Sequence, residues 1–318
     1  MLAVLLSQAA CSGPQSALDP AGEEAAQIAT LFRLMLYGGG LIWLFVAGSL
    51  IYASWPNRKA HDERSAGRFI FWAGAVFPSV TLLLLLAYAL WLMPGLRPFA
   101  QEGAPALRVE VTGRQFWWEV IYYPRDAPPI LSANEIRLPV GERVELTLKS
   151  GDVIHSFWIP ALAGKMDMIP GRTNRLSLRA TATGVFRGPC AEYCGTSHAL
   201  MALVAVVMEP REFDNWLAGQ ARPSPGAGAE GFDLFRDNGC GACHRIAGTV
   251  ASGMIGPDLS HIGSRRSIGA GILPNSPAAL AEFIATPHLA KPGQQMPAFD
   301  MLGRDELAGL AGYLAGLQ

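Results

Sequence analysis

The chain has 318 residues, half of them apolar, and a formal net charge of −1. That length holds two or three domains of ordinary size, and that apolar share places part of the chain in lipid. The balanced charge excludes both a basic field for nucleic acid and an acidic tail, so charge names no partner.

The N-terminal "MLAVLLSQAACSGPQ" has an apolar run followed by small residues and a cysteine, like the end of a lipoprotein signal. Gln8 stands where leucine is usual, and no basic stretch precedes Leu2. Residues 1–22 read as this signal-like segment, with Cys11 the candidate lipidation position, which would add an anchor at the outer face. Within residues 23–98, Ile28 to Ser54 and Phe69 to Met93 are apolar, broken only by Arg33, glycines and Pro78. At about 1.5 Å per helical residue, each run crosses the roughly 30 Å hydrocarbon layer with some tilt, as a transmembrane hairpin. In the intervening "WPNRKAHDERSAGR", Arg58, Lys59, Arg64 and Arg68 outnumber Asp62 and Glu63. The positive-inside rule puts this loop in the cytoplasm and both termini outside.

Past Pro94 the texture changes to short segments such as "LRVEVTG", "RVELTLKS" and "ALVAVVME", separated by Gly, Pro, Asn and Asp. Alternation in "RVELTLKS" puts Val144, Leu146 and Leu148 on one face and Arg143, Glu145, Thr147 and Lys149 on the other. An all-β sandwich or barrel over residues 99–218 is expected. Residues 219–229 have the Ala, Gly and Pro content of a linker. The third unit, 230–318, is expected to be helical: "GFDLFRDNG" and "GRDELAGLAGYLAGL" both read as helices, the latter aligning Leu307, Leu310, Leu314 and Leu317.

The five cysteines fall as Cys11 alone and two close pairs, Cys190/Cys194 and Cys240/Cys243. Pairs so close suit a shared metal or cofactor better than a disulfide, which normally closes a longer loop. "CGACH", Cys240 to His244, is the attachment signature of a covalent haem c: two thiols add to the vinyl groups and the adjacent imidazole ligates iron. Candidates for the sixth ligand are His261, His288, Met254, Met296 and Met301. Met296 is preferred because "GQQMPAF" sets it in a loop bounded by Gly and Pro, where a thioether reaches the iron without distorting a helix. The segment resembles class I cytochrome c domains, which carry such an "MP" loop and a "GPDL" stretch. That resemblance implies that the Pro257 backbone orients His244. With His and Met both bound, such a haem passes electrons and does not bind oxygen.

"CAEYCGTSHALM", Cys190 to Met201, gathers two thiolates, an imidazole and a thioether on one loop, a soft donor set that suits copper. Zinc is the alternative: it would take the two cysteines and His198 but leave the methionine idle. "GDVIHSFWIP" adds His155 at a strand, one loop away in a sandwich. This stretch, "CAEYCGTSHALM", the preceding hairpin and "GRQFWWEVIYY" together resemble subunit II of cytochrome c oxidase, and the whole chain resembles the fused subunit II of caa3-type oxidases. The resemblance implies a multidomain fold: transmembrane hairpin, cupredoxin-like CuA sandwich and all-α cytochrome c domain. It implies two copper ions bridged by Cys190 and Cys194, capped by His155 and His198, with Met201 on one and the Glu192 carbonyl on the other. The Glu192 side chain would face a magnesium or manganese ion at subunit I.

Two departures from the family stand out. Phe116 replaces the tryptophan that usually opens the aromatic run and serves as electron entry, leaving Phe116, Trp117 and Trp118 as candidates; packing in a buried strand is the other reading for Trp118. The second helix, at "RFIFWAGAVFP", also lacks the acid that many relatives place before the helix proline, so no proton-entry role is expected.

The resemblance implies an electron conduit in the bacterial inner membrane, its metal domains on the periplasmic or outer face. Electrons would pass from a donor cytochrome c or the bc1 complex to the haem, then to CuA, then to haem in subunit I, where oxygen is reduced and protons pumped. Subunit III is a further expected partner. A CuA subunit of another haem-copper reductase, such as a nitric oxide reductase, and a membrane-anchored redox sensor are the rival readings. No acid/base dyad, serine triad or phosphate-binding glycine loop offers a competing enzyme.

Overall fold

The computed structural model describes residues 12–56, 62–93, 107–125, 127–224 and 231–318, so Cys11 and two loop cations, Arg58 and Lys59, lie outside the described residues. The chain separates into two compact units, residues 27–102 and the remainder.

The smaller unit carries two helices long and apolar enough to cross a membrane, α1 (Glu23–Ser54) and α2 (Glu63–Leu92). In lipid a helix is stable because every backbone polar group is satisfied within the segment. Apart from Ala25 and Ala29 near the start of α1, their described apolar side chains are mostly exposed, Leu41 to 70% and Trp91 to 72%. Helix α2 starts at Glu63, ahead of the Phe69 expected, because the Asp62 carboxylate accepts from the Ser65 backbone N–H and caps the turn. Arg64 and Arg68 therefore belong to the helix rather than to a loop. A π-helical turn, Trp72–Val76, precedes Pro78. Proline has no N–H to offer and its ring crowds the carbonyl one turn back, so a widened turn there relieves both problems.

The larger unit begins with two sheets. Strands β1 (Leu107–Arg114), β2 (Trp117–Tyr123), β3 (Ile130–Ala133), β5 (Arg143–Ser150) and β8 (Asn174–Arg179) form a five-stranded sheet in the order β3-β2-β1-β5-β8. Strands β4 (Glu135–Pro139), β9 (Gly184–Pro189) and β10 (Ala202–Met208) form a second, β4-β10-β9. A short ribbon pairs β6 (His155–Phe157) with β7 (Met166–Met168). Both sheets contribute to one apolar core, in which Val144, Leu146 and Leu148 are fully buried as the alternation requires. Each such side chain stabilises the fold by about 1.5–3 kcal/mol.

The opposite face of β5 departs from expectation. Glu145 is buried, beside Arg175 at 3.7 Å, and Arg143 is held by Glu23 at 2.7 Å and Glu24 at 2.6 Å. The cover comes from the segment entering α1. The Ala21 N–H donates to the Ala161 carbonyl (2.7 Å), its carbonyl accepts from Thr181 N–H (2.8 Å), and Glu24 accepts from Arg179 N–H (3.0 Å). Residues expected to be signal or membrane hairpin thus brace the sandwich.

After the sandwich, α3 (Pro210–Gln220) lays Phe213 and Trp216 against Tyr122, with ring centroids 6.3 and 5.2 Å away. The stretch beyond it is engaged rather than bare: the Arg222 carbonyl meets His261 Nε2 at 3.0 Å, and Ser224 is buried. The last part of the chain is helical, with α4 (Gly231–Asp237), α5 (Pro277–Ala285), α6 (Pro287–Ala290) and α7 (Arg304–Gly316). Leu310, Leu314 and Leu317 enter its core and Leu307 packs on them half-buried. An unanticipated two-stranded ribbon, Ser267–Ile268 with Leu273–Pro274, lies between. The sandwich and this helical part are tied by Arg137 Nη2 to the Ser264 carbonyl (3.0 Å), Arg266 N–H to the Glu135 carboxylate (2.9 Å) and Ala202 N–H to the Ala270 carbonyl (2.9 Å).

Candidate metal and haem centres

The loop between β9 and β10 is pinned at both ends. Cys190 N–H donates to the Met201 carbonyl (2.8 Å), and Ala191 N–H to the Ser156 carbonyl (3.0 Å). Pinning folds the loop so that its sulfurs turn inward: Cys190 Sγ and Cys194 Sγ are 3.9 Å apart, both buried, and neither forms a disulfide. His155 Nδ1 stands 3.8 Å from Cys190 Sγ, and His198 Nδ1 3.6 Å from Cys194 Sγ. Met201 Sδ lies 3.8 Å from Cys194 Sγ, and the Glu192 carbonyl 3.3 Å from Cys190 Sγ. All six residues singled out for copper therefore meet at one place.

The donor set fits the pair of ions that the family resemblance implies. The sulfur separation is far beyond the roughly 2.05 Å of a disulfide, yet less than twice the roughly 2.3 Å of a metal–thiolate bond, so both sulfurs can reach a common ion. Two imidazoles flank different sulfurs, which leaves one for each of two ions. A buried thioether beside them favours copper over zinc. The hydrogen bond from Cys194 holds the Cys190 thiol down to about 3 against the opposing effect of burial, while the same contact and burial push the Cys194 thiol up. A cation bound by thiolates would displace the protons they carry.

Asp152 escaped the sequence reading. Its carboxylate lies 2.7 Å from His155 Nε2 and also accepts from Val153 N–H at 2.7 Å and Gln115 N–H at 2.7 Å. With Nε2–H donated to this carboxylate, Nδ1 is left to face Cys190, a device common among metal-binding histidines. Burial opposes the charged form of His155, but the bonds from Cys190 and Asp152 prevail and raise its pKa. Only the "GD" turn just before the strand hinted at this role. Behind His155 lies Trp118, buried, its ring centroid 6.1 Å from the imidazole.

Gly113 of β1 is the floor under the same imidazole: a Cβ there would sit 2.7 Å from His155 Cγ. Gly113→Ala is expected to displace the ring, costing about 1–3 kcal/mol of stability. Copper-to-haem ratio in the purified protein should fall by about half or more while haem absorption is unchanged; a full copper complement would show that the ring has room to spare.

The second centre is a cleft in the helical part. Cys240, Cys243, His244 and Met296 all line it, with apolar walls that include Leu280 and Leu314. His244 Nδ1 donates to the Pro257 carbonyl at 2.8 Å, leaving Nε2 for a metal. Burial lowers the pKa of His244 and so keeps the ring in its ligating, neutral form. The Gln294 side chain clamps the Met296 backbone, accepting from its N–H (2.7 Å) and donating to its carbonyl (2.8 Å). Of the other thioethers considered, Met254 is 49% and Met301 73% exposed. His261 is engaged with Arg222, and His288 is exposed. Two thiols at the rim, a neutral imidazole and a thioether in an apolar cleft fit a covalently held haem.

The cleft has a third wall. Phe116 and Trp117 line it together with Lys291. Phe116 is buried, Trp117 half-buried. Lys291 is also buried, and its pKa is pushed down to about 7, chiefly by desolvation.

Comparisons with known proteins agree with this division. Residues 129–208 match the family described as cytochrome c oxidase subunit II, periplasmic domain, and residues 228–318 match the cytochrome c family. Cytochrome c oxidase subunit 2 of Alkalihalophilus pseudofirmus is 32% identical over 325 residues, spanning 97% of this chain and 93% of its own. Its Bacillus subtilis counterpart is 28% identical over 331 residues, spanning 95% and 92%. Among solved structures, the periplasmic domain of cytochrome oxidase subunit II from Bradyrhizobium japonicum aligns with 38% of this chain and 96% of its own, at 31% identity and a TM-score of 0.35.

Proposed function

Since the chain belongs to the cytochrome c oxidase subunit II family, with a cytochrome c domain following the periplasmic domain, we propose that it is the electron-entry subunit of a caa3-type, proton-pumping oxidase. The single observation that carries this reading is the pair of buried sulfurs 3.9 Å apart, each flanked by its own imidazole. In this reading Cys190, Cys194, His155, His198, Met201 and the Glu192 carbonyl would hold two copper ions, with the two thiolates shared between them. Cys240 and Cys243 would hold one haem c covalently, and His244 and Met296 would ligate its iron. When bound, these groups supply reversible one-electron chemistry.

The protein's own residues supply fixed positions. Asp152 orients His155, the Pro257 carbonyl orients His244, and Gln294 holds the Met296 loop. Rigid ligands change little on reduction, which keeps the reorganisation cost of each transfer low. The copper domain is taken to span residues 99–218, the linker 219–229 and the haem domain 230–318, beyond an N-terminal segment of 1–22 and a hairpin of 23–98. The Glu192 side chain is half-buried, and it would hold magnesium or manganese at the contact with subunit I. Subunit III, a donor cytochrome c or bc1 complex, and a bacterial inner membrane with the metal domains on its outer face complete the assignment; Cys11 would carry the lipid.

The full chain, purified with its partner subunits, tests this. Metal analysis should give two copper ions per haem c, and paramagnetic spectra recorded during stepwise reduction should show one spin shared over two copper nuclei beside a low-spin haem. One zinc and no copper at the cysteine loop would overturn the reading.

A further inference from the structure

Lysine is almost never fully buried without a carboxylate partner, because desolvating its charge is costly. Lys291 is 3% exposed, and no carboxylate among the described residues forms a salt bridge with it. Its amine donates to two backbone carbonyls, Phe116 O at 2.5 Å and Gly269 O at 2.7 Å. One carbonyl belongs to the sandwich and the other to the helical domain, so a single side chain staples the two. Two N–H donors suffice for both bonds, and the amine keeps two whether or not it is protonated.

The stapled residue, Phe116, lies between the loops that carry the two sets of ligands. A Cβ built on Gly195, within the cysteine loop, would lie 3.1 Å from the Phe116 ring, and one built on Gly293, in the loop leading to Met296, 3.6 Å from it. The ring is therefore held between the two ligand-bearing loops and also lines the haem cleft. The neighbouring Gln115 amide donates to the Cys194 carbonyl at 2.6 Å, and Ser197 Oγ donates across the junction to the Pro292 carbonyl at 2.6 Å. An apolar side chain would join the domains at lower desolvation cost than a lysine. What lysine adds is direction: it fixes the backbone of one named residue, Phe116.

We propose that Lys291 is a positioning residue for electron transfer within the chain, pinning Phe116 between the haem cleft and the cysteine loop so that the two centres keep one short, fixed separation. This rests on the copper and haem assignment above. With both groups bound, the transfer would move one electron from reduced haem to the copper pair with no bond made or broken, and the role of Lys291 would be to hold Phe116 and the two ligand loops at one spacing. Transfer falls steeply with distance, so a domain that loosens spends less time at the productive spacing.

The test uses the full oxidase complex carrying Lys291→Met, with Lys291→Gln as the variant that restores a donor. Haem c is reduced by a light pulse, and the rate at which copper is reduced is followed optically. Lys291→Met should slow this step by about tenfold or more while the haem spectrum and copper paramagnetic signal stay those of the parent. Hydrogen exchange should also rise in 195–198 and 292–295, and Lys291→Gln should recover part of the rate. Should Lys291→Met not assemble, Lys291→Gln alone is required to show slowed transfer with intact spectra. A rate within about twofold of the parent in the assembled variant overturns the proposal. Absence of the copper or haem signal from the parent itself would instead sink the assignment on which it rests.

Discussion

Cys194→Ser is expected to abolish the copper centre and to lower oxygen consumption by the assembled oxidase by about a hundredfold or more, leaving haem c absorption as it was. The size of the effect follows from how much converges on one atom. Cys194 Sγ lies 3.9 Å from Cys190 Sγ, 3.6 Å from His198 Nδ1 and 3.8 Å from Met201 Sδ. Serine is close in size, but its hydroxyl stays protonated near neutrality and offers a hard oxygen where soft sulfur is required. Without that sulfur, His198 and Met201 would lose the atom that stands between them and Cys190. Copper-to-haem ratio and paramagnetic spectra read this directly, and circular dichroism checks that the sandwich persists. Retention of two coppers would mean that Cys194 is not a bridge; loss of haem along with copper would mean that the centres are not independent.

Met296→Leu is the second large effect expected. Leucine fills a similar volume, and covalent attachment through Cys240 and Cys243 is untouched, so haem content should not change. The thioether that favours a high potential is gone, and the midpoint potential of haem c should fall by on the order of 100 mV, with a change from a low-spin to a high-spin absorption spectrum. Electron entry from the donor would slow accordingly. Spectroelectrochemical titration checks both. An unchanged spectrum would assign the sixth ligand elsewhere, and Met254 or Met301, both exposed, would have to move inward to provide it.

Much of the architecture was readable from local pattern. Strict alternation in "RVELTLKS" placed Val144, Leu146 and Leu148 in the core because a strand has a period of two, and apolar length alone marked both membrane helices. The two cysteine motifs stand out in sequence because haem attachment and metal ligation, as proposed here, would demand particular side chains at short spacing. What escaped has a common physical origin: single polar residues whose partners are remote in sequence. Glu145 looks like a solvent position, yet it is buried with Arg175 3.7 Å away. Asp152 resembles any turn aspartate until its carboxylate is seen against His155. Lys291 sits in an ordinary "AKPG" loop, and nothing nearby in sequence announces a bond to a carbonyl 175 positions away. The early start of α2 is a milder case, since charged residues suit a capped first turn as well as a loop.

Phe116 is 4% exposed, and its backbone carbonyl is held by the Lys291 amine of the helical part. In the proposed reading a soluble electron carrier would therefore meet the haem domain rather than an open aromatic surface beside the cysteine loop, and electrons would enter at the haem before reaching the copper pair.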